Sequence, residues 1–189
     1  LIKVIKVYAF AIDYTEDSRS KISKFGATPV DYSLNKSGFN IFKDLKDTWL
    51  LSKRLKKIQP DIVFSFFVKP SIYGTLAAKI AKVPRRIAML EGLGYIYTPL
   101  KNNFLFKKKI LQYAHGLLAS IGYAFADKVL FLNQDDPVDL AKKSFINSKK
   151  FKIIGPIGLE LSDYPYTQVI ITKPIRFIFI ARMLVEKGV

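Results

Sequence analysis

The sequence predicts a three-layer α/β sandwich with a mainly parallel sheet, and three observations carry that expectation. Asp61–Val68 and Arg86–Leu90 are short apolar runs rich in β-branched and aromatic residues, as buried strands are. Between them Ser71–Ala81 places the small residues Gly74, Ala77, Ala78 and Ala81 at helical spacing before Pro84 stops the helix, which makes a β-α-β unit. Each strand then ends on residues a buried strand does not need, Lys69 after the first and Glu91-Gly92-Leu93-Gly94 after the second. Ligands of open α/β sheets bind beyond the carboxyl ends of the strands, so both endings point at one crevice.

In chain order, Leu1–Ala11 reads as a strand and Asp13–Asp17 as a loop and helix start, its acidic residues suited to the positive end of a helix dipole. Gly26 is placed to end that helix, Thr28–Tyr32 is a short strand, and Asn40 can cap the next helix. Ile41–Ile58 is amphipathic, with Ile41, Phe42, Leu45, Trp49, Ser52, Leu55 and Ile58 on one face and lysines on the rest. The expected arrangement packs that apolar face on the sheet, in preference to a basic face turned to membrane or phosphate. Ile110–Ala126 is a core-packed helix, shorter than the roughly 20 apolar residues a bilayer requires. Asp127–Leu132 is a strand, Asp135 and Asp136 fit helix capping better than catalysis, and Phe151–Gly155 is a further strand. Proline and glycine between Gly155 and Tyr166 suggest a boundary, so the expected division is 1–172 and 173–189, with Ile175–Ala181 the first strand of a second unit. Leu1 opens directly in a strand pattern and Lys187-Gly188-Val189 stops where a helix is expected, so the chain reads as part of a longer protein.

Composition narrows the chemistry. The chain of 189 residues has no cysteine and one histidine, His115, which excludes a disulfide framework, a cysteine nucleophile and a multi-histidine metal site. No metal ligand set and no cofactor motif are found. The net charge of +16 calls for an anionic partner. Phe104, Leu105 and Phe106 stand beside Lys107, Lys108 and Lys109, a pairing suited to an anionic membrane surface. A nucleic-acid-binding domain would also suit the charge, but no helix-turn-helix, RNP-like or zinc signature is present.

Asp61-Ile62-Val63 with Lys69-Pro70-Ser71-Ile72-Tyr73-Gly74, then Glu91-Gly92-Leu93-Gly94-Tyr95, then Arg182-Met183-Leu184 with Lys187-Gly188 resemble, in that order, the motifs of family 4 glycosyltransferases of the GT-B fold. The similarity is greatest to bacterial enzymes that build O-antigen, capsule or other lipid-linked glycans. The resemblance implies a Rossmann-like N-terminal, acceptor-side domain followed by the start of a nucleotide-sugar-binding domain, without the family's first strand and its Gly-rich loop. It also implies transfer from a nucleotide diphosphate sugar to a glycan or lipid-linked acceptor, with retained configuration, no bound metal and no cofactor. By the same token Arg182 and Lys187 hold the donor phosphates. Lys69, Glu91, Gly92 and Gly94 are the acceptor-cleft candidates, while Phe104, Phe106, Lys107, Lys108 and Lys109 would touch the membrane. The implied location is cytoplasmic, peripheral on the inner face of the membrane, with no nucleic-acid partner. Many family members carry His-x-His where this chain has Phe64 and Phe66, so the catalytic residues stay unassigned and His115 does not stand in. A nucleotide-sugar epimerase of the same architecture is the alternative reading.

Overall fold

The computed structural model describes residues 5–35, 40–93, 105–168, 173–180 and 183. The order is β1 (Val7–Ala11), α1 (Glu16–Lys24), β2 (Ala27–Asp31), α2 (Ile41–Ile58), β3 (Ile62–Phe66), α3 (Val68–Ile80), β4 (Arg85–Leu90), α4 (Leu105–Ala124), β5 (Lys128–Phe131), α5 (Asp135–Ala141) and β6 (Phe151–Ile153). All described pairings are parallel, in a β1-β2 sheet and a β3-β4-β5-β6 sheet. Alternation of strand and helix thus gives the Rossmann-like α/β class the sequence predicts.

Local chemistry sets the boundaries. Thr15 and Ser18 form a reciprocal capping box on α1, each side chain accepting from the other's backbone N–H. The Asn40 side chain accepts from the Lys43 amide to open α2. Gly74 lets α3 lie on β3: a Cβ there would stand 2.5 Å from Ser65 Oγ. Gly122 does the same between helices, since its Cβ would meet Ile72 Cγ2 at 2.7 Å and the Ile72 backbone at 2.9 Å. The core between α3, α4 and the sheet holds Ile72, Tyr73, Leu90, Tyr123, Val129 and Phe131. A second cluster, Leu55, Ala77, Ala78 and Val83, with Phe10 and Val63 against it, ties β1 and β3 to the α2–α3 pair.

Three details depart from the sequence reading. First, α2 is rolled. It buries Asp44, Asp47, Thr48, Ser52 and Leu55 and leaves Ile41, Phe42, Leu45 and Trp49 exposed. The reason is a carboxylate, Asp44, that must face a lysine on α3. Second, β3 alternates: Ile62, Phe64 and Phe66 are exposed while Val63 and Ser65 turn toward the helices. Third, Ile175–Ile180 forms no strand and its side chains are exposed, because apolar pattern supplies propensity and not the neighbour a ladder requires.

Candidate active-site crevice

The carboxyl ends of β1, β2 and β3 converge on a cavity of about 230 Å³ lined by Ile12, Leu34, Asn35, Phe67, Lys69 and Pro70. Chain order dictates this: Ile12 directly follows β1, Leu34 and Asn35 lie in the loop after β2, and Phe67 joins β3 to α3. β4 runs parallel to β3 with Phe66 paired to Met89, so Glu91 and Gly92 leave the sheet at the same edge. The two strand endings that the sequence directs at one crevice therefore do share an edge.

Phe67 holds φ 65° and ψ 161°, a region almost reserved for glycine and typically costing about 1–3 kcal/mol for other residues. Such strain concentrates where geometry serves a ligand. Nothing in the sequence pattern marks Phe67, since a phenylalanine closing an apolar run reads as strand. Phe67 supplies no capping side chain to α3, and Pro70 has no N–H, so the Val68 and Lys69 amides are the first-turn donors left beside the crevice.

Lys69 lines the cavity and pairs with Asp44, its ammonium 2.8 Å from Oδ1 of a carboxylate fully shielded from solvent. Asp44 offsets that charge, so Lys69 adds little positive potential of its own to the crevice. Tyr73, one turn along α3, is pushed up to about 12 by burial, with the Asp44 charge adding. Ser71 Oγ meets Tyr123 Oη at 2.8 Å, which fixes the start of α3 against α4. At the opposite edge, Arg86 pairs with Asp127, and the Arg86 amide donates to the same carboxylate, joining the starts of β4 and β5.

Of the sequence candidates, Lys69 is at the cavity, and Glu91 and Gly92 lie at the end of β4. Glu91 is exposed, and Gly92 has φ 155° with open space where a side chain would go. Gly94, Phe104, Arg182 and Lys187 lie outside the described residues, and so do the side chains of Phe106, Lys107 and Lys108; Lys109 is exposed on α4. Ile12, Asn35 and Phe67 escape sequence analysis because nothing in their neighbourhood encodes the cavity they share. His115 is buried on α4, and burial lowers it to about 4, so it stays neutral at physiological pH. The Asp135 and Asp136 carboxylates sit in the first turn of α5 but do not cap it: Asn133 Oδ1 accepts from both of their amides, and the Asp136 carboxylate accepts from the Asn133 side-chain amide. A broader depression of about 550 Å³ beside α5 and β6, lined by Pro137, Val138, Ala141, Lys142, Ser148 and Phe151, takes no lining from the carboxyl ends of β1, β2 and β3. Among the described residues no group of three metal-ligating side chains occurs and no helix is long and apolar enough to cross a membrane.

Parallel strands feeding a crevice at their carboxyl ends define a Rossmann-like α/β domain with a ligand site in the usual place, and the family follows from comparison. The family model described as glycosyl transferase 4-like matches residues 12–133, and the chain belongs to that family. The chain is 28% identical over 155 residues to the N,N'-diacetylbacillosaminyl-diphospho-undecaprenol alpha-1,3-N-acetylgalactosaminyltransferase of Campylobacter jejuni, covering 82% of this chain and 40% of that protein. It is 26% identical over 125 residues to the UDP-Gal:alpha-D-GlcNAc-diphosphoundecaprenol alpha-1,3-galactosyltransferase of Escherichia coli, covering 66% of this chain and 30% of that protein. The chain thus spans less than half the length of these curated relatives.

Proposed function

We propose that this chain is the acceptor-side part of a glycosyltransferase that moves a sugar from a nucleotide diphosphate sugar to a lipid-linked glycan acceptor in bacterial surface polysaccharide synthesis. The observation that carries this is the crevice at the carboxyl ends of β1–β3, in a chain that belongs to the glycosyl transferase 4-like family. Both relatives are named for diphosphoundecaprenol-linked acceptors, and a chain of net charge +16 suits a diphosphate substrate on an anionic membrane.

In this reading the acceptor saccharide lies along Asn35, Phe67 and Glu91, with its reacting hydroxyl directed away from the sheet. Asn35 supplies hydrogen bonds and the Phe67 ring an apolar face for a sugar. The α3 N-terminus favours the acceptor diphosphate. Arg182 and Lys187 neutralise the donor diphosphate as charge builds on the leaving group, by bidentate and point-charge contacts respectively. The anomeric configuration is retained, no cofactor takes part, and residues from about 173 onward begin the donor-binding domain. The protein works peripherally at the inner face of the cytoplasmic membrane.

The test is to incubate the full-length protein with nucleotide sugars and an undecaprenyl-diphosphate-linked saccharide and to analyse the lipid by mass spectrometry. An acceptor heavier by one sugar supports the proposal. Conversion of the free nucleotide sugar to its epimer, with the lipid unchanged, would replace it with the epimerase reading.

A further inference from the structure

We infer that the outward face of α2 is the surface by which this protein rests on an anionic lipid bilayer. Phe42, Leu45, Trp49, Lys53 and Lys56 succeed one another at spacings of three and four, so they share one side of the helix. That side faces solvent: Phe42 is 88% exposed and Trp49 50%. The arrangement is the reverse of an ordinary surface helix, which hides its apolar residues and shows its charges. Here both carboxylates of α2, Asp44 and Asp47, are turned inward, and Asp44 is held there by Lys69. The outward surface of the helix is left with apolar, aromatic and cationic side chains and no acid.

The charge pattern selects the occupant. Among the described residues Lys43, Lys46, Lys53, Lys56 and Lys57 have no ion-pair partner. Lys53 Nζ lies 3.5 Å from the centroid of the Trp49 ring, which keeps an amphipathic indole and a cation together at one depth. A second copy of a chain with net charge +16 would be repelled, and a polyanion such as nucleic acid has no use for Ile41, Phe42 and Leu45. A bilayer with anionic headgroups meets both needs, accepting apolar side chains about 5–10 Å into its headgroup and acyl boundary. α2 is about 27 Å long at 1.5 Å per residue, apolar toward its start and basic toward its end. It rests on the lipid-linked acceptor proposed above only for its biological purpose; its physical basis is α2 itself.

Trp49 is the only tryptophan of the chain, so its fluorescence reports on this surface alone. The 189-residue chain is titrated with phosphatidylcholine vesicles, with and without phosphatidylglycerol, and with lipids brominated high on the acyl chain. The expected result is a blue shift and bromine quenching of Trp49 on anionic vesicles at low salt, and little response to neutral ones. Lys46→Gln, Lys53→Gln and Lys56→Gln should each weaken partitioning about fivefold, and Phe42→Ser should shorten Trp49 insertion, with melting temperatures unchanged. Co-sedimentation with no change at Trp49 would overturn the inference. So would equal spectral shifts with heparin or duplex DNA and no quenching by brominated lipid, or loss of binding only in a Lys107→Gln, Lys108→Gln, Lys109→Gln variant. Because the readout needs no catalysis, its failure leaves sugar transfer to be judged by the lipid-product assay.

Discussion

The ammonium of Lys69 and the carboxylate of Asp44 are 2.8 Å apart across the α2–α3 contact, and the carboxylate is wholly shielded from solvent. This pair ties together two features of the molecule. It fixes the start of α3, where the crevice opens, and it sets the roll of α2, which turns the Phe42–Trp49 face outward. Asp44→Ala or Lys69→Met alone should cost roughly 3 kcal/mol or more, because either leaves a charge without its partner in a mostly buried place. The double substitution Asp44→Ala with Lys69→Met should cost clearly less than the sum of the two singles. Urea denaturation of the four proteins checks this; additive losses would mean that the pair is not coupled.

His115 makes stability depend on acidity. Burial lowers it from 6.5 to about 4, so the fold holds it neutral while the unfolded chain takes up a proton below 6.5. Its contribution is complete above about pH 6.5 and is lost as pH falls toward 4, at a limit of about 1.4 kcal/mol per pH unit. His115→Gln should flatten the stability curve between these values, whatever it does to absolute stability. An unchanged slope from chemical denaturation at pH 5, 6 and 7 would contradict the assignment.

Phe67 inverts the usual order of substitutions. At φ 65° and ψ 161°, glycine is relaxed and alanine is strained. Phe67→Gly should therefore be more stable than Phe67→Ala by about 1 kcal/mol or more, whereas glycine ordinarily loses to alanine. Thermal melts of the two variants decide the point, and a more stable Phe67→Ala would show that the residue does not hold this conformation.

The alternation of strands and helices was legible because it rests on local signals: apolar runs, Asn40 as a cap, Pro84 as a stop and small residues at Gly74, Ala77 and Ala78. The common edge of Lys69, Glu91 and Gly92 was legible too, since a β-α-β unit fixes strand direction. The roll of α2 was not. Its periodicity favours burying Leu45 and Trp49, and the ion pair that decides otherwise joins residues 25 positions apart, Asp44 and Lys69. Phe67 was hidden because strain leaves no mark on residue type. Ile175–Ile180 looked like a strand because pattern encodes strand character without saying whether a partner lies alongside.

Arg182 and Lys187 remain the sharpest prediction from sequence for the donor site. In the full-length enzyme Arg182→Ala and Lys187→Ala should each cut turnover at least tenfold, a loss that needs only about 1.4 kcal/mol of transition-state stabilisation. One charge-assisted hydrogen bond supplies that much. Steady-state kinetics beside thermal melts check it, and near-normal turnover in both variants with unchanged melting would remove these residues from the donor site.

The central claim is that the crevice at the ends of β1, β2 and β3 holds the acceptor and not the donor. The direct measurement is the pair of Michaelis constants of the full-length enzyme carrying Asn35→Ala, a change at the cavity wall. Losing a hydrogen bond to the acceptor should raise the acceptor KM about tenfold and leave the nucleotide-sugar KM where it was. A raised nucleotide-sugar KM with an unchanged acceptor KM would contradict the account.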